Sequence, residues 1–133
     1  MISAAVEALP DTKITAVTIL TSLDEAALAA IGMHGPALEA ACRLAELAVA
    51  AGARAIVCSP QEVAAIRTRV PADIVLITPG VRPAGAALGD QARVATPQQA
   101  LADGADLLVI GRPITAADDP ATAAELLSTE LIS

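Results

Sequence analysis

Four short runs of apolar, mostly β-branched residues divide the chain into segments of comparable length. They cover residues 14–20, 55–58, 74–78 and 107–110, and the last three are continuously apolar rather than alternating. Strands buried on both faces of a parallel sheet have this continuous pattern, whereas strands with one solvated face alternate. The pattern therefore predicts four parallel strands.

Helical signals lie between the predicted strands. The strongest covers residues 36–51: it opens on Pro36, stops at Gly52, and spaces Glu39 and Arg43 as an i, i+4 ion pair. Helical spacing predicts that one face of this helix is buried. The apolar residues of that face are Leu38, Cys42, Ala45 and Val49, with Leu44 and Leu47 broadening it.

Three further helix starts have capping-box spacing, in which a hydroxyl and a side chain three residues later satisfy free helix amides. The pairs are Ser22 with Glu25, Ser59 with Glu62, and Thr96 with Gln99. Strands that alternate with helices predict an α/β fold with a parallel sheet, and right-handed crossovers place the helices on the outside. No shift in composition marks a domain boundary, so residues 1–133 are expected to form a single domain.

Composition narrows the possible functions. The chain has 133 residues, a net charge of −7, 55% apolar residues and no aromatic residue. Without rings it can offer neither a base-stacking platform nor an aromatic cage, and its acidic balance disfavours nucleic acid as a partner. It has no basic N-terminal segment before an apolar run, and no run approaches the roughly 20 residues of a membrane span. We therefore expect a cytoplasmic chain with no membrane partner.

The remaining reactive side chains are few and isolated. Cys42 and Cys58 belong to no Cys-x-x-Cys motif and are expected to be small buried residues in a reducing compartment. His34 is the only histidine and has no Cys, Asp or Glu at ligand spacing, so no metal site is predicted. Ser22 and Ser59 fit helix caps better than nucleophiles, since no second histidine could serve as their base.

The carboxyl ends of the strands are where βα folds bind ligands. The third predicted strand opens a long connection, residues 79–95, whose glycines permit a mobile lid. Arg82 and Arg112 follow the third and fourth strands, and the planar donors of arginine suit a phosphate dianion. Loops after the last two strands of βα barrels commonly bind phosphate. The two arginines therefore form either a phosphate site or surface ion pairs.

Three segments around these strand ends carry a combined motif: ITPGVRPAG at residues 77–85, GDQARVATP at 89–97 and VIGRPIT at 109–115. Together with VTILTS at 17–22 and VCSP at 57–60, they resemble the orotidine 5′-phosphate decarboxylase family over essentially the whole chain. The resemblance implies a TIM-barrel type of fold. The chain would contribute about four βα units, the C-terminal half of the barrel.

Site residues follow from the same resemblance. It implies that Arg82, Gln91 and Arg112 grip the 5′-phosphate of the substrate, and that Gly111 lends a backbone amide to the same group. Thr21 would lie near the pyrimidine or the ribose. Two further features concern the base: Pro79 would pack near it, and residues 79–90 would close over the nucleotide.

The implied reaction converts orotidine monophosphate to uridine monophosphate and CO2 in pyrimidine biosynthesis, without a cofactor. In that family the chemistry depends on a lysine and aspartates of the first three strands, including an Asp-x-Lys-x-x-Asp motif. Only Asp11 and Lys13 are similar here, and Ala16 stands in place of the second aspartate. We therefore expect a carboxy-lyase by family whose isolated chain holds no catalytic residue and has no turnover.

Three hypotheses remain open. The chain is half of a decarboxylase barrel without turnover, or a module that binds nucleotide monophosphates through Arg82, Gln91 and Arg112. Alternatively it is a structural half-barrel that self-associates as a homodimer or higher homo-oligomer, because four strands cannot close an eight-stranded barrel. A related sugar-phosphate decarboxylase or lyase would share the phosphate-binding end.

Overall fold

A computed structural model describes residues 1–83 and 95–132 of the chain. The four strands are β1 (Thr15–Val17), β2 (Ala55–Val57), β3 (Val75–Pro79) and β4 (Leu107–Val109). The helices are α1 (Ile2–Ala8), α2 (Glu25–Ala30), α3 (Ala37–Ala50), α4 (Val63–Arg67), α5 (Pro97–Ala102), α6 (Arg112–Thr115) and α7 (Pro120–Ile132). The predicted strands are confirmed, although β1 ends three residues earlier than its apolar run.

The strands form one parallel sheet in the order β1-β2-β3-β4. Sequential neighbours throughout are the order of a βα barrel, whereas a doubly wound sheet reverses its order at a switch point. One row of the register joins Val17, Val57, Ile77 and Leu107. Side chains alternate between the faces of a strand, so this row lies on the opposite face from Ala16, Ile56 and Leu76.

The core lies between the helices and the sheet face that carries Ala16, Ile56 and Leu76. Ala16, Ile56 and Leu76 belong to one buried cluster that also contains much of α3. The buried positions of α3 are mostly alanine: Ala37, Ala40, Ala41, Cys42, Ala45 and Ala48. Small side chains let the helix approach the sheet closely, which suits a core without aromatic rings.

The predicted face of α3 was therefore wrong in part. Cys42 and Ala45 are buried as expected, and Leu44 and Val49 pack at the edge of the core. Leu38 is 38% exposed and Leu47 is 67% exposed. Apolar residues cover so much of this helix that periodicity did not fix its rotation.

Two side-chain pairs predicted from spacing are replaced by other partners. Glu39 binds Arg69 at 3.0 Å instead of pairing with Arg43. Asp24, not Ser22, caps α2 by accepting from the amide of Ala27 at 2.8 Å. Spacing along a helix could not indicate partners from a neighbouring element or a cap two residues further on.

The other two predicted capping pairs form hydrogen bonds at the starts of their helices. The Thr96 hydroxyl accepts from the Gln99 amide at 3.2 Å and caps α5. Glu62 reaches back to the Ser59 amide at 3.0 Å, while the Ser59 hydroxyl accepts from Gln61 at 3.3 Å. These bonds stabilise the turn that precedes α4. The helix itself begins at Val63, the residue after Glu62.

The amino ends of β3 and β4 are joined by a network around Arg67. Its guanidinium donates to the Gly104 carbonyl at 2.8 Å, to the Ile74 carbonyl at 2.9 Å and to Asp106 at 2.6 Å. The same Asp106 oxygen accepts from the Leu76 amide at 2.7 Å. This network ties α4 to two strands at the end of the sheet remote from the predicted site.

None of the helices in the described ranges is both long enough and apolar enough to cross a membrane.

Candidate phosphate site at the carboxyl ends of the strands

A cavity of about 310 Å³ lies at the carboxyl ends of the strands. Its walls come from the segment after β1, from the end of β3 and from the end of β4 with α6. The lining residues are Thr21, Pro79, Gly80, Arg82, Val109, Gly111, Arg112 and Thr115. This volume is at the lower end of the range of small-molecule pockets, roughly 300–1,000 Å³.

The end of β3 holds the first arginine in a fixed position. Gly80 has a φ of 79°, a conformation that L side chains rarely adopt, and it turns the chain out of the strand. Val81 then bridges Ala95 in parallel, and the Arg82 amide donates to the Ala95 carbonyl at 3.0 Å. The two described ends of the connection after β3 are thereby held side by side.

Arg82 itself is only 8% exposed. Its Nη1 atom donates to the Val81 carbonyl at 2.8 Å, and a guanidinium group has four further N–H donors. Burial and this hydrogen bond limit the rotamers of Arg82. Ligand binding therefore costs less side-chain entropy here than at a surface arginine.

The end of β4 supplies the second arginine through a tight turn. The Gly111 carbonyl accepts from the amides of Ile114 at 2.8 Å and Thr115 at 3.0 Å, and the short helix α6 begins at Arg112. Arg112 is exposed, in contrast to Arg82. The turn places Thr115, one helical turn after Arg112, on the same cavity.

The charge of the cavity is opposite to that of the chain. Among the described lining residues, Arg82 and Arg112 carry charge and none is acidic, although the net charge is −7. Arginine donors strengthen in partly buried surroundings, where water screens them less. Local geometry therefore makes this cavity suitable for an anion such as a phosphate ester.

Five of the six predicted site residues line this one cavity: Thr21, Pro79, Arg82, Gly111 and Arg112. The sixth, Gln91, lies outside the described residues, as does most of the predicted closing segment 79–90. Sequence reasoning missed Gly80, Val109 and Thr115. The spacing of three residues between Arg112 and Thr115 was the available signal for the last of these.

The alternative candidates lie elsewhere. Ser22 and His34 are exposed outside the cavity. Lys13 is exposed and precedes β1, at the opposite end of the sheet from the cavity. Cys42 and Cys58 are free and buried, as predicted. Burial raises the pKa of the Cys58 thiol to about 11, which makes it a poor nucleophile near neutral pH.

Comparison with known proteins places these features in a family. The model of the orotidine 5′-phosphate decarboxylase / HUMPS family matches residues 1–127. An orotidine 5′-phosphate decarboxylase of Thermobifida fusca is 71% identical over 131 residues, which is 98% of this chain and 56% of that protein. One of Frankia casuarinae is 58% identical over 131 residues, 98% of this chain and 48% of the relative.

The fold agrees with a solved structure of the same name. The crystal structure of orotidine 5′-phosphate decarboxylase from Lactobacillus acidophilus superposes with a TM-score of 0.81 at 33% identity. It covers 100% of this chain, whereas this chain covers 58% of it. The chain thus spans about half the length of the curated relatives that it matches.

Proposed function

Because the chain belongs to the orotidine 5′-phosphate decarboxylase / HUMPS family, we propose that its cavity binds the phosphate group of a nucleotide monophosphate. The observation that carries the proposal is the convergence of Arg82 and Arg112 from two neighbouring strand ends on one cavity. A phosphate dianion has enough oxygen atoms to accept from both forks at once.

Each wall of the cavity has a different part in this proposal. The buried Arg82 provides a fixed fork, while the exposed Arg112 folds onto the ligand from the α6 side. Gly111 brings its backbone amide to the same oxygen atoms without a side chain in the way. The family resemblance implies a further phosphate donor in Gln91, which lies outside the described residues.

The nucleoside would occupy the opposite side of the cavity. Thr21 is 8% exposed and follows β1, two strands away from the Arg82 strand in the order β1-β2-β3. Pro79, the last residue of β3, offers an apolar surface on the same cavity. This arrangement gives the ribose a hydroxyl partner and the pyrimidine an apolar contact.

The reaction of the whole protein is taken to be the decarboxylation of orotidine monophosphate to uridine monophosphate, a step of pyrimidine biosynthesis in the cytoplasm. We propose that the 133-residue chain holds the substrate but does not turn it over by itself. Its one lysine, Lys13, precedes the amino end of β1, whereas the cavity lies beyond the carboxyl ends. We therefore do not expect Lys13 to donate the proton to a base bound beside Pro79.

Titration calorimetry with uridine monophosphate tests the binding proposal. The wild type is compared with Arg112→Ala and with Arg43→Ala, which removes an equal charge from the exposed surface of α3. Loss of charge-assisted hydrogen bonds, about 1.5–3 kcal/mol each, predicts a 10- to 100-fold weaker affinity for Arg112→Ala. Arg43→Ala should bind like the wild type. Absent binding, or equal weakening in both variants, contradicts the proposal.

Two further measurements test whether the chain is instead a sugar-phosphate enzyme and whether it has turnover by itself. Ribose 5-phosphate should bind more weakly than uridine monophosphate; equal or tighter binding would favour a sugar-phosphate enzyme. Release of CO2 from orotidine monophosphate should stay at the uncatalysed rate. Turnover that survives repeated purification would contradict the inactivity of the isolated chain while leaving the phosphate site intact.

A further inference from the structure

The segment after β4 brings a threonine to the wall of the cavity in addition to its arginine. Thr115 lines the cavity together with Gly111 and Arg112. It is the last residue of α6, three positions after Arg112, so the two side chains leave the helix on the same side. Because Thr115 is exposed and lines the cavity, a ligand bound there can contact it.

The backbone of the segment fixes the place of Thr115 relative to Gly111. The Gly111 carbonyl accepts from the Thr115 amide at 3.0 Å, and Pro113 holds one backbone dihedral of the first turn of α6. A Cβ at Gly111 would meet no atom of the described residues within 4 Å. There is therefore room for a ligand atom beside Gly111, at the base of the turn that carries Thr115.

The Thr115 hydroxyl has not taken the partner that helical threonines commonly use. Such hydroxyls often donate to a carbonyl three or four residues earlier, as Thr129 does in α7 to the Glu125 carbonyl at 2.9 Å. In residues 1–83 and 95–132 no hydrogen bond engages the Thr115 hydroxyl. The carbonyl four residues earlier, that of Gly111, already accepts two backbone amides. The Thr115 hydroxyl can therefore donate to a ligand without giving up a bond within this part of the chain.

We propose that the Thr115 hydroxyl donates a hydrogen bond to the phosphate group, as a further ligand beside Arg82 and Arg112. The inference rests on the proposed function of the cavity. The terminal oxygens of a phosphate monoester are strong acceptors, and together they accept more bonds than two guanidinium forks supply. A hydroxyl that donates to an ionised oxygen forms a short, strong bond. Thr115 thereby adds to the preference for ligands that carry a phosphate.

Titration calorimetry with uridine monophosphate and with uridine tests the inference on the full chain. Thr115→Val removes the hydroxyl and keeps the shape of the side chain, whereas Thr115→Ser keeps the hydroxyl. Loss of one charge-assisted hydrogen bond predicts roughly 10-fold weaker binding of uridine monophosphate by Thr115→Val. Thr115→Ser should bind it like the wild type. The affinity for uridine should be the same in all three proteins.

Thr12→Val is the matched control, because Thr12 is an exposed threonine before β1, at the opposite end of the sheet from the cavity. It should leave both affinities unchanged. Equal binding of uridine monophosphate by the wild type and Thr115→Val would overturn the inference and leave the arginine site standing. Equally weak binding by the valine and serine variants, or an equal loss for uridine, would also overturn it.

A wild type that does not bind uridine monophosphate contradicts the proposed function and this inference together. Circular dichroism checks that each variant folds. If Thr115→Val does not fold, Thr115→Ala removes the same hydroxyl without a β-branched side chain and takes its place in the comparison.

Discussion

Asp106 supports the fold through a single oxygen atom. Its Oδ2 accepts from Arg67 at 2.6 Å and from the Leu76 amide at 2.7 Å. Leu76 is fully buried and the hydrogen bond from its amide to Asp106 is part-buried, so removing the carboxylate leaves this amide with restricted access to water. Asp106→Ala should therefore destabilise the chain well beyond the loss of an ion pair.

The magnitude follows from the two contacts. A buried amide left without an acceptor costs about 1–3 kcal/mol. The ion pair contributes less, about 0.2–1 kcal/mol, because the Arg67 and Asp106 side chains are 23% and 48% exposed. The free energy of unfolding should fall by about 2 kcal/mol in Asp106→Ala. Asp106→Asn keeps an oxygen acceptor for Leu76 and should lose only about 1 kcal/mol.

Urea unfolding followed by circular dichroism measures these differences, with all variants at one protein concentration. Asp73→Ala is the matched control, because Asp73 is an exposed aspartate near the same end of β3, and its change should stay within about 0.5 kcal/mol. If Asp106→Ala and Asp73→Ala unfold at the same urea concentration, the role assigned to Asp106 is wrong.

Two further predictions concern the backbone and the thiols. Gly52 has a φ of 98° and its missing Cβ would lie 3.2 Å from Val6, whereas Gly35 has a φ of 97° and open space. In urea unfolding Gly52→Ala should therefore lose more stability than Gly35→Ala, which carries only the strain of about 1–2 kcal/mol; equal losses would contradict the close approach of α1. The pKa of Cys58, ordinarily 9.0, is raised by burial to about 11, so its contribution to stability is complete below pH 9 and lost as pH rises through 11. In Cys58→Ala the free energy of unfolding should fall less steeply between pH 9 and 11, by up to about 1.4 kcal/mol per pH unit. A decline as steep as in the wild type would contradict the raised pKa of this thiol.

The strands could be predicted because continuous apolar runs are typical of parallel strands, but the expected burial on both faces was wrong for the outer strands. In β1 and β4 of the described chain, alternate residues are exposed. The apolar runs gave four strands, and glycine and proline marked the ends of α3. The run at 14–20 continued past β1, since Ile19 is buried after the strand has ended. Apolar residues beyond a strand end cannot be separated from the strand by pattern alone.

Contacts that depend on packing could not be predicted in the same way. The rotation of α3 was ambiguous because alanines and leucines occupy most of its surface, and the alanines face the sheet. Asp106 shows no pattern of its own, since its partners Arg67 and Leu76 lie 39 and 30 residues away. Such tertiary partners come together only when the helices and strands pack against each other.

The candidate site was predictable where it follows the strand ends. Arg82 and Arg112 stood out because each comes directly after a strand, and parallel strands bring their carboxyl ends to one edge. Thr115 and Val109 were missed, because their place on the cavity depends on the turn at Gly111. The strand order was needed to bring these positions together.

The central claim is that the cavity recognises a nucleotide through its phosphate. The most direct test compares the affinities of the wild-type chain for uridine monophosphate and for uridine, which differ only in the phosphate. With two arginine forks on that group, we predict that uridine monophosphate binds at least 10-fold more tightly and that Arg112→Ala reduces this preference. Equal affinities for the two ligands, or a preference unchanged in Arg112→Ala, would contradict the account.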